Sequence, residues 1–277
     1  MMAGVLSALR VTGGKLAGQT LLFMGAGEAA TGIADLTVSA MTAQGLSESA
    51  ARGRCWLFDS QGLVVAGRGE LAEHKRPYAH AHAPVSDFLS AVEALKPTAI
   101  IGVAAVGGTF TRKVVEAMTR LNPRPIVFAL SNPTSKSECT AEQAYTWSGG
   151  RALYASGSPF DPVTLGGRSH VSRQGNNSYI FPGVGLGVIV SRATRVTDEM
   201  FMAAAQSLAH DVTDTDLAQG SLYPPLADIR AVSAHIGAAV ARVAYERKLA
   251  GGPAPADLLA FVKSRMYEPR YRNYAAK

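Results

Sequence analysis

Short apolar runs alternate with helix-period segments through the first half of the chain. Residues 21–24, 55–58, 99–103, 126–130 and 152–155 read as strands. Between them, 28–44, 87–95 and 111–121 read as helices, the first ended by Gly45. Thr140 opens another helix, with Gln143 three residues on in a capping-box pattern. Residues 1–10 form a further short helix ahead of the first strand, and the polar stretch 67–84 reads as a loop. Strands that are apolar throughout and separated by helices imply a parallel sheet covered on both faces.

The pattern changes after Gln174. Residues 184–193, 198–210, 229–248 and 256–266 read as helices, several with apolar residues on more than one face, and no further strand is expected. The organisation expected is a nucleotide-binding domain over 1–176, a helical segment of an incomplete second domain over 177–250, and a tail over 251–277. Apolar helices without an evident partner predict an exposed apolar patch between 177 and about 248 in the isolated chain.

Composition narrows the class. Of 277 residues, 47% are hydrophobic and 17% charged, which supports a packed core and argues against disorder. The longest apolar run, 180–190, contains a proline and three glycines and falls short of the ~20 residues that span a bilayer. The net charge of +6 comes from scattered Lys and Arg with no basic stripe interleaved with aromatics, so a mildly basic surface is favoured over a nucleic-acid binder. Two cysteines, Cys55 and Cys139, set no disulfide framework, and the N-terminus lacks a signal-peptide pattern. An intracellular protein, cytoplasmic or organellar and not secreted, is expected.

The chemistry concentrates where strand meets helix. The first strand runs into Gly25-x-Gly27-x-x-Ala30, and a helix follows at once. In that context the fingerprint means dinucleotide binding: Gly25 for the tight turn, Gly27 for close approach of a pyrophosphate, Ala30 for helix-on-strand packing, and the helix N-terminus for the phosphates. The fold class expected is therefore α/β, a Rossmann-type doubly wound parallel sheet followed by a helical part-domain. Asp59 ends the second strand, where a carboxylate can bond the ribose hydroxyls and would favour NAD. Ser60, Arg68, Lys75 and Arg76 pull towards a 2′-phosphate, although a solvated basic loop explains them nearly as well. Asn132 follows the fourth strand and could hold a nicotinamide amide or a substrate hydroxyl, or form an Asx turn. Asn176 and Asn177 could grip a carboxylate, or belong to a turn-rich loop.

Three other groups read as structural. His80 and His82 fit a solvated loop better than a metal site, Asp211, Asp214 and Asp216 fit surface caps between helices, and Cys139 fits a buried thiol.

With these segments in place, the chain resembles the malic enzymes, and its ending resembles the plant-type NADP enzymes. The matching stretches are LFMGAGEAATGIA (22–34), IIGV (100–103), FALSNPT (128–134), ECTAEQAY (138–145), ASGSPF (155–160), QGNNSYIFPGV (174–184), LYPPL (222–226) and MYEPRYRNY (266–274), in family order. The resemblance implies oxidation and decarboxylation of malate to pyruvate with NADP as the cofactor, NAD being the alternative. It places Gly25, Ala26, Gly27, Glu28 and Ala29 at the pyrophosphate, Asp59 and Ser60 near the adenine ribose, and Lys75 at the 2′-phosphate. Asn132 would touch nicotinamide and malate, and Asn176 and Asn177 would seat the substrate carboxylate. In the family the Mg²⁺ or Mn²⁺ ligands, the catalytic Tyr and Lys and a substrate Arg come from an amino-terminal region, so no catalytic residue and no metal ligand is assigned here. Family members are expected to be homo-oligomers. Cofactor binding without turnover is expected of this chain alone. The alternatives are a non-catalytic truncated isoform or partner subunit that docks onto a full-length malic enzyme, or a fragment of a longer product.

Overall fold

Apolar runs too short for helices satisfy their backbone groups by pairing. β1 (Leu21–Met24) and β2 (Cys55–Asp59) precede a two-residue strand, β3 (Gly62–Leu63), and then come β4 (Ala99–Gly102), β5 (Ile126–Ala129) and β6 (Leu153–Ser156). The computed structural model describes residues 1–268, 270 and 271. The last stretch of the family-like ending, at 269 and 272–274, therefore lies outside the described residues.

The sheet order is β3-β2-β1-β4-β5-β6, with every pair parallel except β2–β3. β3 was not expected from sequence. Only two residues separate it from β2, and so short a link permits only an antiparallel return. Phe23 sits level with Leu57 on one side and Ile101 on the other, which fixes the register at the sheet's centre. A second, two-stranded sheet, β7 (Val163–Leu165) with β8 (Arg168–His170), also escaped the sequence reading, because three-residue strands carry almost no periodic signal.

Helices cover both faces. α1 (Met2–Thr12), α2 (Glu28–Ala43), α4 (Phe88–Leu95), α5 (Arg112–Leu121) and α6 (Ala141–Trp147) follow the expected pattern, α3 (Glu48–Arg52) is a short helix the sequence reading did not expect, and Thr140 and Gln143 close the expected capping box on α6. Leu22, Ile100, Val127 and Tyr154 point to one face and pack with Phe88, Val92, Val115 and Tyr145. Their strand neighbours Phe23, Ile101, Phe128 and Ala155 are equally buried on the other face. The stretch 67–84, expected as a loop, contains a 3-10 helix, Glu73–Tyr78. It is pinned by Tyr78, which is fully buried and donates its hydroxyl to Asp35 Oδ1 of α2 at 2.5 Å.

The remaining helices are α7 (Phe181–Ser191), α8 (Asp198–His210), α9 (Asp214–Ala218), α10 (Ile229–Glu246) and α11 (Leu258–Arg265). The chain divides into two units. The first comprises Met1–Asn177 and Leu208–Leu226, and the second Ser178–Ser207 with the described residues from Ala227 onward. Residues 208–226, expected within the helical segment, thus group with the sheet. Long-range bonds hold them there: Val171 N–H donates to Gln219 O at 2.9 Å, and Ser221 Oγ donates to Val171 O at 2.6 Å. Asp216 is also not the surface cap expected of it. It is buried, caps α9 with Thr213, and pairs with Arg173 at 2.8 Å.

In the second unit α7 and α10 approach at their glycines. A Cβ on Gly187 would lie 2.6 Å from Gly237 O and 2.7 Å from Val240 Cβ, and one on Gly183 would lie 2.6 Å from Ile236 Cβ. Phe181, Ile189 and Val196, in the segment expected to leave an apolar face open, are exposed. Gly185, on the same helix, has nothing within 4 Å of its Cβ position. We expect Gly187→Ala to destabilise this unit by about 1–3 kcal/mol through overpacking, and Gly185→Ala to be neutral or stabilising by up to ~1 kcal/mol. Thermal melts of the two variants check this, and equal midpoints would contradict the close approach.

Candidate functional site

At the C-terminal edge of the sheet, between β1 and β4, the connections diverge to opposite sides, and there a cleft of about 520 Å³ opens. Its walls come from three strand ends: Gly25–Gly27 after β1, Asp59 and Ser60 at β2, and Val103 and Ala104 after β4. A larger hollow of about 620 Å³ lies beside Arg10 and Lys15. There the Arg10 guanidinium is committed to Ala209 O, Val212 O and Asp214, so the hollow offers no comparable set of convergent polar groups.

Gly25 takes φ +122°, donates its N–H to Phe58 O at 2.7 Å, and has Val103 C 3.0 Å from the place a Cβ would occupy. Any side chain there is excluded twice, by backbone conformation and by space. Gly27 is different. Its φ is ordinary and a Cβ would meet nothing within 4 Å. The open space above it is the space a ligand can take. Gly27 also caps α2 without a side-chain acceptor, so the first N–H groups of that helix, including those of Glu28 and Ala29, face outward with the positive end of the helix dipole. Ala30 is fully buried beneath them. The His74 ring approaches Ala26 O at 3.2 Å and so rests the 3-10 helix on the loop.

That helix delivers Lys75 to the rim. Lys75 Nζ lies 2.7 Å from Asp59 Oδ2, and Arg68 Nη1 lies 3.0 Å from Asp59 Oδ1. Burial would raise the Asp59 carboxyl, but hydrogen bonds from Lys75, Arg68 and the Gln61 N–H outweigh it and hold the group below the usual carboxylate range. Asp59, Lys75 and Arg68, which argued for opposite cofactors, are therefore one cluster with a net charge of +1, while Arg76 turns to Leu71 O instead. Ser60 sits beside it, exposed, at the turn into β3.

Beyond β4, the same C-terminal edge of the sheet continues over β5 and β6. Asn132 follows β5 with its side chain at the surface. Asn176 and Asn177 follow a segment that runs parallel to β6: Ser156 bridges to Gln174, and Gly175 N–H donates to Ser156 O at 2.7 Å. Asn132 and the Asn176–Asn177 pair thus follow segments that end at the same edge of the sheet. Arg173 braces this segment by donating to Asp216 at 2.8 Å and Tyr223 O at 2.7 Å.

Two residues here escaped the sequence reading. Glu138, with no exposed surface, accepts a very short bond from Ser131 Oγ and the Ser131 N–H at 3.3 Å, and its carboxyl fills the place a Cβ on Gly102 would take. Ser158, also buried, donates to Asn132 Oδ1 at 2.7 Å. An acid just before a capping box looks like helix-terminus decoration, and a serine between glycine and proline looks like a turn. Neither signal points to a site.

The structural groups fall elsewhere. His80 and His82 lie against the Trp56 ring, and burial raises the Cys139 thiol well above its ordinary range. Cys55 is likewise pushed up to about 12.

Burial raises the Glu138 carboxyl above 4.5 against the pull of its donors. A carboxyl raised in the folded state binds more protons there than in the unfolded chain. Its contribution to stability is thus present at acid pH and lost as pH rises through the folded value. Relative to Glu138→Gln, the wild-type chain should lose denaturant resistance as pH rises above the ordinary carboxyl range. Parallel curves for the two proteins would contradict the shift.

Comparison with known proteins agrees with this architecture. A family model described as malic enzyme, NAD binding domain, matches residues 1–245. A chloroplastic NADP-dependent malic enzyme of Flaveria pringlei is 54% identical over 99% of this chain and 43% of its own length. NADP-dependent malic enzyme 2 of Arabidopsis thaliana is 52% identical over 99% of this chain and 47% of its own. The chain thus spans about half the length of the curated relatives it matches. Among solved structures, the malic enzyme of Entamoeba histolytica superposes with a TM-score of 0.75 at 23% identity, over 95% of this chain and 50% of that one. The malic enzyme of Pyrococcus horikoshii Ot3 gives 0.67 at 26% identity, over 95% and 55%.

Proposed function

The chain belongs to the malic enzyme family, with residues 1–245 as its NAD-binding domain, and from that premise we propose that it binds NADP across the cleft between β1 and β4 and serves the NADP-linked oxidative decarboxylation of malate. The observation that carries the cofactor reading is the uncapped start of α2 with the Asp59–Lys75–Arg68 cluster on its rim.

The residues divide the ligand among them. Gly25, whose own N–H is committed to Phe58 O, turns the chain, and the N–H groups of Ala26–Ala29 receive the pyrophosphate, where the N-cap Gly27 has no side chain to compete for them. Asp59 and Ser60 lie at the adenine ribose. Lys75 meets the 2′-phosphate as a point charge, and Arg68 keeps Asp59 neutralised so that the phosphate is not repelled. On the β5–β6 side, Asn132 contacts nicotinamide and malate, and Asn176 and Asn177 hold the malate carboxylate through neutral amides that stay uncharged at every working pH. When bound, the nicotinamide supplies the hydride acceptor for the malate C2.

Among the described residues no three His, Cys, Asp or Glu side chains are grouped to hold a metal ion. These residues do not fit Mg²⁺ or Mn²⁺. Nor do amides supply a proton donor or acceptor for the decarboxylation. We therefore expect the 277-residue chain to bind cofactor and not to form NADPH from malate on its own. Malate-dependent NADPH formation by the purified chain would overturn this. The chloroplastic relatives favour a plastid as the site of action.

The cofactor assignment is tested by calorimetric titration with NADP⁺ and NAD⁺. A charge-assisted bond is worth about 1.5–3 kcal/mol, so Lys75→Gln should weaken NADP⁺ binding by roughly 10- to 100-fold and change NAD⁺ binding by less than about twofold. Equal losses for both would remove the basis for choosing NADP. Absence of NADP⁺ binding by the wild-type chain would remove the reading itself.

A further inference from the structure

We infer that Ser158 and Glu138 are positioning residues that preset the Asn132 side-chain amide as a hydrogen-bond donor towards the nicotinamide half of the cofactor. The inference rests on the cofactor reading above and extends it to residues that reading does not use.

The clamp works from two sides. Glu138 holds the backbone. It takes both the hydroxyl and the N–H of Ser131, the residue immediately before Asn132. Ser131 Oγ in turn accepts the Ala105 N–H at 2.9 Å, so one buried carboxyl ties the segment after β5 to the segment after β4. Ala105 is held at φ +55°, a conformation a non-glycine residue keeps only when its surroundings determine it.

Ser158 holds the side chain. Its hydroxyl donates to Asn132 Oδ1 at 2.7 Å, while Asn132 Nδ2 has a long, 3.5 Å contact to Leu130 O. The direction of the amide follows from these neighbours. Turned over, it would set Oδ1 against the Leu130 carbonyl, two acceptors facing each other without a proton. With Oδ1 engaged and Nδ2 only weakly so, the unspent capacity of Asn132 is that of a donor. The backbone beneath leaves no slack: a Cβ on Gly157 would lie 2.2 Å from Leu130 O and 2.7 Å from Asn132 Nδ2.

The position selects the half of the ligand. Asn132 follows β5, two strands from β1 and on the side away from β2. Strands lie about 4.8 Å apart, which puts Asn132 roughly 10 Å from the glycine turn. The adenosine side is fixed by Asp59 at β2, so a dinucleotide crossing the switch point brings its other end to β5.

The test compares NADP⁺ with adenosine 2′,5′-bisphosphate, which carries the adenosine and both of its phosphates but no nicotinamide, by calorimetry on the full chain. Wild type should bind both. Ser158→Ala should weaken NADP⁺ several-fold and leave the bisphosphate within twofold. In the Asn132→Ala background, Ser158→Ala should add nothing further, because Ser158 acts through Asn132. Asn132→Asp keeps the bond to Ser158 and loses the donor, and should show the same selective loss. Three results would overturn the inference: equal loss of both ligands in Ser158→Ala, no loss of NADP⁺, or full additivity in the double variant. If Ser158→Ala does not fold, Asn132→Asp decides on the same two ligands, with unchanged NADP⁺ affinity refuting the donor role. Failure of wild type to bind either ligand would refute the cofactor reading, and this inference with it.

Discussion

The first N–H groups of α2 need acceptors, and its N-cap, Gly27, brings no side chain to supply one. Most helices in this protein meet that need locally: Ser47, Asp87, Thr111, Thr140, Thr213 and Asp257 each cap the helix they precede. At α2 a glycine stands instead. The position is tolerable because it opens into a cleft where water or an anion can reach it, and it is reachable because Gly25 turns the chain sharply off β1. Everything else at the cleft follows from keeping that helix end bare and the space above it clear.

Charge at the rim obeys the same logic. A lone carboxylate at the end of β2 would repel a second phosphate, and two lone cations would repel each other and wander. Paired as Asp59–Lys75–Arg68, each holds the others in place. The depressed Asp59 pKa is the thermodynamic mark of that coupling. The cluster keeps one net positive charge, and Tyr78, buried and bonded to Asp35, supports it from below. On the β5 side rigidity comes from Glu138, buried beneath the loops after β4 and β5.

What could be read in the sequence follows the range of the interactions involved. β1, β4, β5 and β6 announce themselves because three or four consecutive buried residues leave an apolar run, and the fingerprint from Gly25 to Ala30 is local geometry written in local residues. β3 and the hairpin of β7 and β8 are too short to carry a period. The union of 208–226 with the sheet rests on Val171–Gln219 and Arg173–Asp216, contacts between residues more than forty apart, which no local pattern records. The site behaves the same way. Asp59, Lys75 and Arg68 were each conspicuous, but their pairing was not, because it depends on a 3-10 helix inside what reads as a loop. Glu138 and Ser158 were invisible as functional candidates, since their meaning lies entirely in what they touch.

The two sides of the cleft therefore place different demands on the chain. On the β2 side the proposed ligand would meet charges at a rim, where salt screens the attraction and a few tenths of an ångström matter little. On the β5 side it would meet neutral amides, whose directional bonds fail unless the donor already points the right way. That difference explains where the buried polar groups are placed. The cation cluster needs only a carboxylate between its members. The amide needs a buried acid, two serines and a glycine-lined backbone to fix one side chain. A site that recognises part of its ligand by shape and hydrogen bonding alone has to carry its precision in residues the ligand never reaches.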